Sequence, residues 1–120
     1  MAAVSTRKLG LVGERIAVKL LQQKGYRILK KNFQSKLGEI DIVALDGDTL
    51  VFIEVKTRWT KEYGPPEEAV TPRKIRSIIK TGQYFKLLHP KLPEALRIDV
   101  VTVDFTKNKG DVRLIKNVTS

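Results

Sequence analysis

Residues 38–58 read GEIDIVALDGDTLVFIEVKTR. Ile40, Ile42, Val43, Ala44 and Leu45 run into Asp46-Gly47-Asp48, and Leu50, Val51, Phe52, Ile53 and Val55 run out of it. Apolar runs on both sides of an Asp/Gly turn predict a β-hairpin. A two-residue loop at Gly47-Asp48, or a four-residue loop from Asp46 to Thr49, sets the same register. Leu45 then faces Leu50, Val43 faces Phe52, Asp41 faces Glu54 and Glu39 faces Lys56. A three-residue loop would shift the pairing by one. Side chains alternate along a strand, so the four polar residues share one face at the open end of the hairpin. Directly opposed residues have Cβ atoms only ~4.5–5.5 Å apart. Two carboxylates that close repel each other unless a cation lies between them. A divalent metal supplies one, and Asp and Glu oxygens suit Mg²⁺ or Mn²⁺. Lys56, two residues beyond Glu54, points the same way and could hold an attacking water or neutralise charge building on a phosphate. The alternative is a cross-strand salt-bridge ladder in which Glu39, Asp41, Glu54 and Lys56 compensate one another. Hairpin geometry alone leaves both open.

The rest of the chain narrows the choice of partner. Its 120 residues suit one domain, 1–120, with a core over about 6–105, and its composition of 42% hydrophobic and 30% charged residues is that of a folded protein. Lys and Arg number 23 against 13 acids, a net charge of +10, which points to a polyanion, nucleic acid first. No apolar run approaches the ~18 residues of a membrane span, and neither main helix pairs a basic face with an aromatic anchor, so no membrane role is expected. The opening MAAVSTRKLG lacks the apolar core of a signal peptide. With no cysteine there are no disulfides or thiolate metal sites, and a cytoplasmic location is expected.

Residues 6–24 have a helical period through Leu9, Val12, Ile16 and Leu20, with Gly25 as the stop. The polar arc holds Arg15, Lys19, Gln22 and Gln23. Glu14 falls on the other side, among Gly10, Ala17, Val18 and Leu21, and should face the protein. It is either a site residue or a rim carboxylate bonded to a neighbouring base. Residues 26–33 predict a strand with Tyr26, Ile28 and Lys30 on one face. Residues 57–71, TRWTKEYGPPEEAVT, read as a loop. Its Arg58, Trp59, Lys61 and Tyr63 could grip phosphates and stack bases, or the rings could cover the core. Thr71-Pro72 is a helix start. Ile75, Ile78, Ile79, Gly82 and Phe85 follow as an apolar stripe, and His89-Pro90 ends it. Arg73 and Lys74 lie mostly off that stripe, as contacts to phosphate or as solvated charges. Residues 96–105 predict a strand and 112–118 an edge strand.

GEIDIVALDGDTLVFIEVKTR, preceded by LGLVGERIAVKLLQQKGYRILKKN and followed by YGPPEEAVTPRKIRSIIKTGQYF and RIDVVTV, resembles the YraN-like family of bacterial predicted endonucleases. That family is distantly similar to archaeal Holliday junction resolvases. The resemblance implies an α/β fold of restriction-endonuclease-like type, a central mixed β-sheet flanked by helices with a PD-(D/E)xK site. Asp41 matches the motif's first acid and Glu54-Val55-Lys56 its (D/E)xK part. Asp41, Glu54 and the Val55 carbonyl would be metal ligands, and Lys56 would stabilise the nucleophile or the transition state. Glu14 matches the first-helix acid that joins the site in related resolvases. Ile40 stands where the motif's Pro would be. Glu39 is expected behind the ligands, and Asp99 is a weaker candidate that reads as readily as a salt bridge within the sheet. The implied function is Mg²⁺- or Mn²⁺-dependent cleavage of DNA, branched or structured, in repair or recombination, with a homodimer by resemblance to junction-cutting relatives. The rivals are a non-catalytic nucleic-acid-binding protein with a relic site, and a basic surface that meets an acidic protein.

Overall fold

A computed structural model describes residues 6–59, 70–106 and 111–119. Seven elements follow one another: α1 (Thr6–Gln23), β1 (Arg27–Ser35), β2 (Gly38–Asp46), β3 (Thr49–Arg58), α2 (Pro72–Leu88), β4 (Ala95–Asp104) and β5 (Asp111–Ile115). The hairpin forms in the expected register, with Asp46 opposite Thr49, Leu45 opposite Leu50 and Val43 opposite Phe52. Gly47-Asp48 is therefore a two-residue loop. The five strands lie in the order β1-β2-β3-β4-β5. All neighbours are antiparallel except β3 and β4, which run parallel because α2 carries the chain back between them. The result is an α/β fold with a five-stranded mixed sheet and two helices.

Alternation along β2 and β3 divides the core between the sheet's two faces. Ile42, Ala44, Val51 and Ile53 pack with Ala17 and Leu21 of α1. Val43, Leu50 and Phe52 pack with Ile78 and Phe85 of α2. Two glycines let the helices approach closely. A Cβ at Gly13 would stand 2.2 Å from Thr57 Oγ1, and one at Gly82 would meet the Phe52 ring at 2.6 Å. Gly13 thus seats α1 against the end of β3, at Thr57, next to Lys56. On α2, Thr71 caps the helix by accepting from Lys74 N at 3.2 Å, with Pro72 at the first helical position and His89 at the far cap.

Some expectations fail for identifiable reasons. Val12 and Ile79 were placed on apolar stripes, yet they are 41% and 38% exposed. The buried line of α1 runs instead through Gly13, Ala17 and Leu21, because small residues set the closest approach. Lys30 does not share a face with Ile28: the β1–β2 register shifts between them, a bulge that leaves Lys30 exposed. The last strand ends at Ile115 rather than Val118. The chain turns at Asn117, φ 55°, and Val118 folds back to bond Ile98 O and pack on the α2 side.

Candidate active site

β3 carries buried residues from Leu50 to Glu54 and becomes half-buried from Val55 onward. The paired register of β2 with β3 runs from Asp46–Thr49 to Ile42–Ile53. Just past it, the Val55 amide donates to Asp41 Oδ2 at 2.8 Å. A side chain thus occupies the position where the backbone ladder would continue. The strand turns over at the same point. Ile42 and Ala44 belong to the α1 side, and strict alternation would place Ile40 with them, but Ile40 packs on the α2 side with Val43. The break lies at Asp41, and it places this carboxylate at the opening end of the hairpin instead of in the core.

Glu54 is 5% exposed. Lys56 Nζ lies 3.4 Å from Glu54 Oε1, and Lys74 Nζ reaches the same oxygen at 3.8 Å from the first turn of α2. Burial, then the charge of Asp41, pushes the Glu54 carboxyl up to about 7. Burial also raises Asp41, with Glu39 adding to the effect and the Val55 N–H opposing it. Each carboxyl feels the other, and of the two Glu54 is the one pushed up to about 7. The ladder ends at Ile42–Ile53, before the expected Asp41–Glu54 pair; the two carboxyls still interact through their charges, and the lysines provide only partial compensation.

Glu14 joins from α1. Its carboxyl is raised by burial and then by Asp41, and its Oε1 accepts from Asn32 Nδ2 at 3.0 Å. Glu14, Asp41, Val55, Lys56, Thr57 and Trp59 line one open cleft of about 370 Å³. Trp59, 37% exposed, stands at this cleft and does not cover the core.

Other expectations distribute differently. Glu39 does not face Lys56, because the β2–β3 pairing has already ended. It lies opposite Gln34 on β1, exposed, and accepts from Gln34 Nε2 at 3.5 Å. Its influence on Asp41 is one of charge alone. Arg58 ends β3 opposite Asp104. Arg73 is exposed on the first turn of α2, whereas its neighbour Lys74, expected among phosphate contacts, turns to Glu54. Lys61 and Tyr63 fall outside the described residues. Asp99 is a structural acid. Fully buried, it accepts from Arg97 Nε at 2.9 Å, Tyr26 Oη at 2.7 Å and the Asn117 amide at 2.9 Å. Arg97 also holds Asp46 at 2.7 Å. Asn32 is a site neighbour that sequence patterns did not assign, and Lys74 is one they assigned to phosphate instead of Glu54. An Asn inside a strand is a disfavoured choice that could have flagged Asn32.

Among the described residues, no three Asp, Glu, His or Cys side chains lie close enough to hold a metal ion between them. The donor set still fits a hard divalent cation. Asp41 and Glu54 are buried acids pressed together, and the Val55 carbonyl leaves the same strand edge as the amide that meets Asp41. Mg²⁺ commonly takes one or two carboxylates and fills its remaining positions with water and phosphate.

The raised Glu54 has a consequence for stability. Below pH 4.5 both folded and unfolded chains hold this proton. Between 4.5 and about 7 the unfolded chain releases it while the native state keeps it, so stability falls as pH rises and then levels off. In metal-free buffer, Glu54→Gln should remove this slope. Relative to wild type, it should gain on the order of 2–3 kcal/mol between pH 4 and pH 8 in urea unfolding. Parallel pH profiles for the two proteins would contradict this assignment.

No helix among the described residues is long and apolar enough to cross a membrane. Residues 13–103 match a family model described as "Uncharacterised protein family UPF0102". A UPF0102 protein of Syntrophomonas wolfei is 41% identical over 92% of this chain and 96% of its own length. One from Caldicellulosiruptor saccharolyticus is 44% identical over 95% and 98%. One from Clostridium botulinum is 47% identical over 92% and 93%.

Proposed function

The chain belongs to the UPF0102 family, and from the geometry of its cleft we propose that it is a metal-dependent endonuclease hydrolysing phosphodiester bonds of DNA. A single observation carries this reading. The Asp41 and Glu54 carboxyls interact at the end of a hairpin, Glu54 buried with Lys56 at 3.4 Å, and Asp41 and Lys56 lining an open cleft in a chain of net charge +10. A protein that only bound polyanions would gain nothing by holding buried acids where phosphates approach. The element order supports the restriction-endonuclease-like assignment: a helix bearing Glu14, the hairpin bearing the motif, then a parallel strand reached through a second helix.

In this reading Asp41, Glu54 and the Val55 carbonyl hold Mg²⁺ or Mn²⁺. When bound, the ion supplies Lewis-acid polarisation of a phosphoryl oxygen and a water of lowered pKa. Lys56 offsets negative charge that develops on the phosphate as water adds to phosphorus and one P–O bond breaks. The Val55 amide keeps Asp41 aimed at the cleft. Lys74 compensates Glu54 while no cation is there. Arg58, Trp59 and Arg73 flank this region as contacts for the nucleic-acid strand. Branched or structured DNA is the substrate class favoured by the likeness to junction resolvases.

Labelled branched and linear DNA, incubated with the purified protein and Mg²⁺ or Mn²⁺, should be cut, and chelation should stop the reaction. Salt-sensitive binding without cleavage, unchanged by divalent ions or by loss of Lys56, would identify a non-catalytic binder and overturn the proposal.

A further inference from the structure

Asn32 lies in β1 between Lys31, opposite Ile42, and Phe33, opposite Ile40. It therefore stands across from Asp41, where β2 breaks its alternation. Its backbone is left-handed, φ 55°, a conformation that Asn tolerates better than most residues. From there Nδ2 donates to Glu14 Oε1 at 3.0 Å. Its side chain thus ties α1 to β1, beside the strand carrying Asp41. It also approaches Glu14 from outside the cleft: Glu14 lines the cleft wall with Asp41, while Asn32 lines a separate groove with Phe33 and His89.

We infer that Asn32 is a positioning residue for the proposed nuclease site: its side-chain amide fixes the carboxylate of Glu14 against the Asp41 cleft. The inference rests on the nuclease reading for its catalytic meaning, and on the contact itself for its geometry. Two purposes for Asn at this position make different predictions. If only the left-handed backbone mattered, glycine would serve as well. If the amide matters, glycine keeps the backbone and loses the function.

The test compares wild type, Asn32→Gly, Glu14→Ala and the double variant in two measurements. Thermal melting in metal-free buffer reads the contact independently of catalysis. The shifts of the two single variants should fail to add in the double, as expected for groups in direct contact. Metal-dependent cleavage reads the role. Asn32→Gly should lower kcat about tenfold to a hundredfold with KM changed less than about twofold, and it should cost nothing further once Glu14 is Ala. Additive melting shifts, or a wild-type kcat for Asn32→Gly, would overturn the inference. Non-additive melting with no cleavage by wild type would confirm the contact and refute the nuclease reading, and the catalytic role with it.

Discussion

Asp41→Asn is expected to lower metal-dependent DNA cleavage by about a thousandfold or more, equivalent to ~4 kcal/mol of activation free energy. The substitution is nearly isosteric, and the Asn carbonyl oxygen can still accept the Val55 amide that the carboxylate accepts now at 2.8 Å. The fold should survive and only the charge be lost. Glu54→Gln should have an effect of similar size for the same reason. Lys56→Ala should cost about a hundredfold to a thousandfold, since it removes one charge-stabilising group and no ligand. DNA affinity should change far less in each case, because most of the +10 charge remains. Single-turnover rates beside gel-shift affinities separate the two effects. If all three variants cut as fast as wild type, the site lies elsewhere.

Asp99→Ala is expected to be the most damaging substitution for stability. The carboxylate is fully buried and satisfies Arg97, the Tyr26 hydroxyl and the Asn117 amide together. Burial and this acid hold Tyr26 well above the ordinary phenol range, so the hydroxyl stays protonated and donates. Without Asp99 these donors lose their acceptor inside the sheet, and Arg97 retains Asp46 and the Tyr26 hydroxyl oxygen. Removing one member of such a buried charge network costs ~3–5 kcal/mol, a large part of the ~5–15 kcal/mol that stabilises a typical domain. Urea unfolding measures it. A loss below about 1 kcal/mol would mean that solvent reaches these groups in the native state.

These two acids illustrate what the sequence conveys and what it withholds. The hairpin register could be read because its turn is short and its strands apolar, and both features act locally. The cap at Thr71 and the inward side of Glu14 followed from helical geometry in the same way. That Asp41 and Glu54 would lie near each other was legible from the hairpin. Its detail was not. The ladder ends early and the strand turns over at Asp41, which depends on a side chain replacing a backbone partner. That exchange also separates Glu39 from Lys56. Asn32 and Lys74 reach the site from β1 and α2, elements whose approach is set by tertiary packing, as at Gly82 against Phe52. Asp99 shows the reverse limit. An acid in an apolar strand signals a need for a partner, but only the fold tells a structural partner from a ligand.

Calorimetric titration of the protein with Mn²⁺ at pH 8, without DNA, tests the central claim most directly. The account predicts saturable binding to wild type that releases only about a tenth of a proton per ion, because a Glu54 carboxyl near 7 is mostly ionised at pH 8. The same titration should give no saturable heat with Asp41→Asn or Glu54→Gln. Equal binding to all three proteins, or none to wild type, would contradict it.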